Sequence, residues 1–275
     1  MKRTIIRCCV CVVTFVAALI VSSMLLNRGN TDMTADMEPP RLPSVYVDAD
    51  GLRVNMMDGY LGEMEEEYMR GRLLPIGTDR KLSIGILTYG TQVESLAFEV
   101  RSADGTRLVE DTQVSGMTEE DGVLKADIVL KDLIDEGTEY CVIFKLTLED
   151  GREASYYMRV IQQESPGMQE KLDFVASFSE DTFDDASCAA LAVYMETDSS
   201  EDNSTLSRMT IHSSLDQLGW GSLDVRRETE PVFTIMDMTG QTASIQVEYL
   251  VSYTRYEREV HAFVKEVYRI RTGPE

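Results

Sequence analysis

A chain of 275 residues is long enough for one or two domains with buried cores. Its apolar content of 43% and its charged content of 27% are those of a folded protein and exclude wholesale disorder. The formal net charge of −22 opposes contact with nucleic-acid phosphates, so no nucleic-acid partner is expected.

The N-terminal segment is basic and apolar, whereas the remainder is acidic. Residues 1–28 hold four basic and no acidic residues, and the rest carries 22 basic against 48 acidic residues. The 19 residues from Cys8 to Leu26 are uncharged. As a helix with a rise of about 1.5 Å per residue, they approach the roughly 30 Å hydrocarbon thickness of a bilayer. Residues 1–28 are therefore predicted to be a cytoplasmic tip and a transmembrane signal-anchor.

The charge bias predicts how this segment is oriented. Three basic residues precede the apolar run, which places the N-terminus in the cytoplasm and residues after about 30 outside it, at the cell membrane. A cleaved signal peptide stays open as an alternative, since Val21-Ser22-Ser23 offers a small-residue site, but its apolar core is usually about 7–15 residues. Residues 29–43 are polar, contain three prolines and are predicted to be a linker.

Residues 44–161 are predicted to form an antiparallel β-sandwich, since short apolar or alternating segments recur at close intervals. Asp-Gly pairs between several of them supply the positive φ angles of hairpin turns, most clearly at Asp150-Gly151. An acidic insert at residues 60–72 breaks the pattern. The predicted strands are Ser44–Val47, Leu52–Met56, Lys81–Tyr89, Val93–Arg101, Leu124–Leu130, Glu139–Leu148 and Ala154–Ile161.

One stretch within this region, DLIDEGTEYCVIFKL from Asp132 to Leu146, resembles a known family. It is similar to the leucine…glycine-threonine-x-tyrosine corner of fibronectin type III and related immunoglobulin-like domains. The resemblance implies that the Tyr140 hydroxyl bonds back to upstream backbone, that Leu133 packs beneath it and that Gly137 allows the turn. The family's tryptophan in the early core strands is missing, so the resemblance implies the sandwich architecture and no function.

Residues 162–275 are predicted to be an α+β region. Ser165 as N-cap and Pro166 at the first position predict one helix, and Asp184–Met195 is a second. An antiparallel meander follows, and its end indicates either a truncated chain or a last strand that a partner completes. The predicted strands of the meander are Val232–Met238, Ala243–Thr254 and Arg258–Arg271.

The sequence contains no motif strong enough to assign a catalytic, cofactor-binding or metal-binding residue. His212 is followed by two serines but lacks a nucleophile elbow, so a cap or turn role is favoured. His261 is interpreted as a structural strand residue. Asp48-Ala-Asp50-Gly51 is only a fragment of a calcium loop, because the later ligands are missing. Cys141 and Cys188 are favoured as two buried free thiols, with a disulfide left open.

Trp220, between two glycines, is the most distinctive local feature. It is either an exposed stacking platform or a core side chain, and the core role is favoured. Trp220 and His212 are the candidate ligand-binding residues.

Our first hypothesis is a non-enzymatic, membrane-tethered extracytoplasmic protein that binds, scaffolds or senses, with the membrane at residues 8–26 and another cell-envelope protein as partners. Its sheet edges and its last strand are the natural partner surfaces. The alternative is a cell-envelope hydrolase or carbohydrate-binding protein with a site near His212 and Trp220. The sequence predicts no cofactor and does not determine the oligomeric state.

Overall fold

The computed structural model describes residues 2–26, 42–131, 134–164, 167–198 and 204–273, in two compact units, Met1–Pro40 and Arg41–Glu275. The fold is mainly β with a few helices. The helices are α1 (Lys2–Leu26), α2 (Met168–Asp181), α3 (Asp185–Ala190) and α4 (Leu215–Leu218), with 3-10 turns at Glu66–Tyr68 and Leu191–Tyr194. The strands are β1 (Ser44–Ala49), β2 (Leu52–Met57), β3 (Leu73–Ile76), β4 (Lys81–Leu87), β5 (Val93–Ser102), β6 (Leu108–Val114), β7 (Thr118–Glu120), β8 (Val123–Val129), β9 (Glu139–Leu148), β10 (Glu153–Gln162), β11 (Arg226–Arg227), β12 (Val232–Met238), β13 (Thr242–Arg255) and β14 (Arg258–Arg271).

Helix α1 occupies the segment predicted to be a transmembrane anchor. Its large apolar side chains between Val10 and Leu25 are exposed. Among the helices of the described residues, none is long and apolar enough to cross a membrane. Most of the predicted linker, residues 29–41, lies outside the described part of the chain.

The strands of the second unit form two sheets around one core. The large sheet has nine strands in the order β11-β13-β12-β2-β1-β4-β8-β7, with β14 paired to β13. The small sheet has five strands in the order β3-β10-β9-β5-β6. A single buried cluster joins them, with Val45 and Ile84 from the large sheet and Phe98, Phe144 and Tyr156 from the small one. This shared apolar layer makes the fold sandwich-like.

Both sheets are mixed, which corrects the prediction of an antiparallel sandwich. β3 runs parallel to β10, and β12 runs parallel to β2. Each parallel pair joins segments that are far apart in sequence, as parallel pairing requires a long crossover connection. The local sequence pattern therefore could not predict either of these parallel pairings.

Strands β3, β6 and β7 were not predicted. β3 is only four residues long and contains Pro75, which ordinarily argues against a strand. It lies at the edge of the small sheet, where a missing N–H costs least. β6 and β7 are largely polar, so their hydrophobic period is weak.

The predicted boundary near residue 161 falls inside the second unit. β12 pairs with β2 through Val232↔Arg53 and Phe233↔Val54, so strands from both predicted regions belong to one sheet. Phe233 and Ile245 are buried in the same core cluster as the residues of the small sheet. The two regions therefore share a core as well as a sheet.

The helices differ in detail from their predicted bounds. Ser165 and Pro166 lie outside the described residues, and α2 begins at Met168 after Gly167, whose φ of 54° is left-handed. The predicted helix Asp184–Met195 is split into α3 and the following 3-10 turn. Asp184 caps α3 by accepting the Ser187 N–H at 2.8 Å.

Candidate functional site

Trp220 lies in the interior rather than on the surface. Its side chain is 8% exposed, and its ring centroid lies 5.4 Å from that of Phe183. Its φ of 68° is unusual for a bulky residue, and no hydrogen-bond partner for its buried indole Nε1 occurs among the described atoms. Trp220 also lines a shallow depression of about 220 Å³, together with polar residues that include Asp216 and Gln217. The indole face is thus occupied by core packing, which leaves little of it for stacking on a ligand.

The His212 segment forms a turn and a helix cap. His212 Nδ1 lies 2.9 Å from the Glu196 carbonyl and 3.3 Å from Asp198 Oδ2. Ser213 Oγ accepts the Thr210 N–H at 3.1 Å, and Ser214 caps α4 by accepting the Gln217 N–H at 3.2 Å. Both serine hydroxyls therefore serve the local backbone. Binding of a ligand at His212 and Trp220 stays a prediction.

Tyr140 connects its strand to the preceding loop. The side chain is 1% exposed, and its hydroxyl accepts the Asp135 N–H at 3.2 Å and donates to Asp135 Oδ2 at 3.0 Å. Gly137, with φ of 72°, donates its N–H to the Gln162 carbonyl at 2.9 Å. Leu133 lies outside the described residues.

Neither buried cysteine offers a reactive thiolate. Cys141 and Cys188 are both free and buried. Burial raises the pKa of the Cys141 thiol to about 12, and burial also raises the pKa of Cys188. Both side chains therefore stay protonated at neutral pH and act as small apolar groups.

A charged cluster lies where β11 and β14 flank β13. Ligand atoms of Glu228, Glu259 and His261 all lie within 4.8 Å of one another, and His261 Nδ1 is 2.8 Å from Glu228 Oε2. The hydrogen bond with Glu228 raises the pKa of His261, and the same bond lowers the pKa of Glu228. Carboxylate oxygens and an imidazole nitrogen can bind a divalent cation. The short distance between Glu228 and His261 is equally that of an exposed ion pair without a metal. Sequence reasoning missed the cluster because 33 positions separate Glu228 from His261.

Within the described residues, β13 and β14 form the longest pair of hydrogen-bonded strands. All 14 residues of β14 pair with β13, from Arg258↔Arg255 to Arg271↔Thr242. Tyr256 and Glu257 form the two-residue turn, with φ angles of 51° and 60°. Such a turn makes Arg255 and Arg258 a hydrogen-bonded pair. At the other end the Thr272 N–H donates to the Gln241 carbonyl at 2.8 Å, in the same alternation.

The alternation leaves one complete edge of β14 open. Even-numbered residues of β14 bond to β13, so odd-numbered residues direct their N–H and C=O groups away from it. Among the described residues no strand pairs with this second side of β14. We call the odd-numbered residues the outward row: Glu259, His261, Phe263, Lys265, Val267, Arg269 and Arg271.

Apolar side chains are exposed on one face of this edge. Within the outward row, Phe263 is 64% exposed and Val267 is 54% exposed. Leu250, which pairs with Phe263 on β13, is 38% exposed. Long exposed edge strands are normally shortened, covered or charged because they pair readily with other chains.

An aromatic cluster flanks the opposite face. Tyr268 on β14 contacts Phe178 of α2 with ring centroids 5.5 Å apart. Phe178 contacts Tyr194, and Tyr194 contacts Phe174, at 6.0 and 5.4 Å. Tyr194 is 52% exposed, so this aromatic series runs from the open strand to the surface. The edge is thus bordered by apolar groups on both faces.

The sequence predicts β14 as an apolar-patterned strand and as a partner surface. The sequence does not show that the edge of β14 is open, because that depends on which strands pair with β13 and on which side of it they lie. The pairing of β11 and β12 along the other side of β13 leaves β14 at the end of the sheet.

Comparisons with known proteins give no family. No protein-family model matches the chain, and no curated protein matches its sequence at a significant level. CopC from Methylosinus trichosporium OB3b is similar over 34% of this chain and 88% of its own, with 18% identity and a TM-score of 0.24. The sporulation control protein Spo0M from Bacillus subtilis is similar over 83% of this chain and 90% of its own, with 8% identity and a TM-score of 0.24. Both similarities are distant and assign no function to this chain.

Proposed function

We propose that this chain is a non-enzymatic binding protein of the cell envelope that accepts a strand of another polypeptide at the open edge of β14. The observation that carries the proposal is the 14-residue edge of β14, with its outward-facing backbone groups, to which no strand of the described residues pairs. Strand addition satisfies such groups and gains affinity from main-chain hydrogen bonds, while side chains in the row set specificity.

The apolar borders of the edge support this function. Phe263 and Val267 on one face, and Tyr194 on the other, would lose water-exposed apolar surface when a strand is added. Burial is favourable by about 25 cal/mol per Å² of apolar area. An edge kept only for solubility would carry charges at these positions instead.

The proposal includes tethering of the chain to a membrane through residues 8–26. Its support is the 19-residue uncharged run with basic residues before it and an acidic chain after it. Protease added to intact cells is expected to digest residues after about 30 and to leave a short membrane-bound fragment. Complete protection of the chain in intact cells, with digestion only after lysis, would contradict this orientation.

The alternative of a hydrolase or carbohydrate-binding protein near His212 and Trp220 has weaker support. A carbohydrate site needs an accessible aromatic face, but the Trp220 indole packs against Phe183 in the interior. The hydroxyls of the two serines that follow His212 accept hydrogen bonds from backbone N–H groups.

Photo-cross-linking in the natural host tests the binding function. A photoreactive phenylalanine analogue would replace Val267 in the outward row, and in a control chain it would replace Val129 of β8, which is 42% exposed. Binding at the edge predicts a discrete cross-linked species from position 267 and none from position 129. Equal or absent cross-linking at the two positions in the intact cell envelope would overturn the proposal.

A further inference from the structure

We propose that the occupant of the open edge is a second copy of this chain, paired antiparallel through β14 about a two-fold axis at Lys265. This inference rests on the proposed binding function of the edge. In this register Lys265 faces Lys265 of the second copy, and each other member of the outward row faces the residue equally far on the opposite side of the axis. The two large sheets then join into one continuous sheet.

The register matches the exposed apolar side chains with each other. Phe263 lies opposite Val267 of the second copy, and the symmetry repeats this pair on the other side of the axis. These two side chains are 64% and 54% exposed in the single chain. Aromatic side chains opposite β-branched ones are favourable cross-strand pairs, worth about 0.2–1 kcal/mol each.

The charges at the two ends of the outward row are complementary. Glu259 lies opposite Arg271 of the second copy, so two ion pairs form at the ends of the paired strands. At the centre, each Lys265 ammonium already lies 3.3 Å from Glu248 of its own β13, which offsets the repulsion between the two lysines. His261 faces Arg269 of the second copy, and its own partner Glu228 lies 2.8 Å away.

The opposite face fits the same register. Val260 lies opposite Ile270 of the second copy, and Ala262 lies opposite Tyr268 of the second copy. All of these side chains are partly buried in the single chain. The aromatic series from Tyr268 to Tyr194 adjoins this face, so apolar contact continues beyond the strand.

Neighbouring registers fit less well. A shift of two residues in one direction places Phe263 opposite Lys265 of the second copy and separates the exposed apolar groups. A shift in the other direction places Glu266 opposite Glu266 of the second copy, and like charges directly opposite each other are destabilising. Each of these carboxylates already accepts hydrogen bonds from Tyr249 and Tyr268 of its own chain, at 2.6 and 3.0 Å. A shift of one residue places the outward-facing backbone groups of one copy opposite inward-facing groups of the other, so they cannot form hydrogen bonds. Pairing centred on Lys265 also closes with two copies and produces no fibre.

A disulfide at the symmetry axis tests the register directly. The full-length chain, with Cys8, Cys9 and Cys11 replaced by serine, would carry Lys265→Cys. Hydrogen-bonded antiparallel pairs have Cα atoms about 5.5 Å apart, within the range that a disulfide spans. Mild oxidation of the detergent-solubilised protein at about 0.15 M salt, where charges are screened beyond about 8 Å, is expected to link most chains into a disulfide dimer.

The matched control is Arg269→Cys in the same background. It lies on the same strand and face, but two copies of position 269 would be eight residues apart along the paired strands, or about 26 Å at about 3.3 Å per residue. The proposal predicts at least a tenfold slower formation of dimer for this variant. Equal cross-linking of both variants, or none for Lys265→Cys, overturns the dimer.

Val267→Pro provides a second, independent measurement. The Val267 N–H points away from β13, so proline removes an edge donor and leaves the hairpin ladder intact. Sedimentation is expected to show a monomer for Val267→Pro and a dimer for Val267→Ala, with similar thermal unfolding of the two. A monomeric wild-type chain whose position 267 nevertheless cross-links to another protein refutes the dimer and retains the proposed binding function.

Discussion

At the residue scale, Asn55 joins three strands that are distant in sequence. It is fully buried, and its φ of 53° lies in the left-handed region. Its amide Nδ2 donates to the Leu73 carbonyl at 3.0 Å, and its Oδ1 accepts the Ile235 N–H at 2.9 Å. Asparagine suits this position because it tolerates a left-handed backbone and has both a donor and an acceptor. One side chain thus connects β2 to β3 and to β12.

Replacing Asn55 with alanine is expected to lower the free energy of unfolding by about 3 kcal/mol or more. A buried backbone N–H and a buried carbonyl lose their partner, at about 1–3 kcal/mol each. A left-handed backbone also costs alanine about 1–2 kcal/mol. Urea denaturation measures the change, with Asn55→Gly as the control because it loses the same hydrogen bonds without the backbone cost. Wild-type stability of Asn55→Ala would show that the amide contacts contribute little.

At the element scale, the hairpin turn before β14 uses residues that are poorly suited to it. Both Tyr256 and Glu257 have positive φ, in the turn type that prefers Asn-Gly. Tyr256 is 85% exposed, and the Arg255 guanidinium lies 5.3 Å from its ring centroid. The long ladder behind the turn holds the backbone in this conformation.

The double substitution Tyr256→Asn with Glu257→Gly is expected to stabilise the chain by about 1 kcal/mol. It removes the cost of two unfavourable backbone conformations, and the lost cation–π contact offsets only about 0.5 kcal/mol at an exposed site. Thermal unfolding would be compared with a Tyr256→Ala, Glu257→Ala control, which keeps the backbone cost. A lower melting temperature for the Asn-Gly chain than for this control would contradict the explanation.

At the scale of the whole molecule, residues 44–161 and 162–275 contribute to one sheet and one core. The link runs through the β2–β12 pairing, through Phe233 in the core and through the Asn55 contact to Ile235. Separation of the two regions would expose this shared apolar layer and leave backbone groups unpaired. Separating these two regions within the unit from Arg41 to Glu275 is therefore expected to be costly in free energy.

Both regions are expected to unfold in one transition. Trp220 is the only tryptophan of the chain and reports on residues 162–275, whereas far-UV circular dichroism reports on all strands. Coincident urea transitions from the two signals are predicted. Two separated midpoints, with tryptophan fluorescence changing first, would show that the C-terminal region unfolds independently.

The amino-acid sequence alone predicts the β-rich class and the strands of the C-terminal meander, and it shows the sharp division of charge near residue 28. These features follow from local periodicity, from turn residues such as Asp150-Gly151 and from composition, all of which act over a few neighbouring residues. Prediction from the local sequence failed where tertiary packing overruled the conformational preference of a residue, as at Pro75 in β3 and at Tyr256-Glu257 in the turn.

Which strands became neighbours depends on tertiary packing and not on the local sequence. The Asn55 contact with Ile235 spans 180 positions, and the cluster of Glu228 and His261 spans 33. Such pairings depend on how whole apolar faces are buried together, and no local pattern encodes them. The same physics made β14 the last strand of the large sheet and left its outward row open.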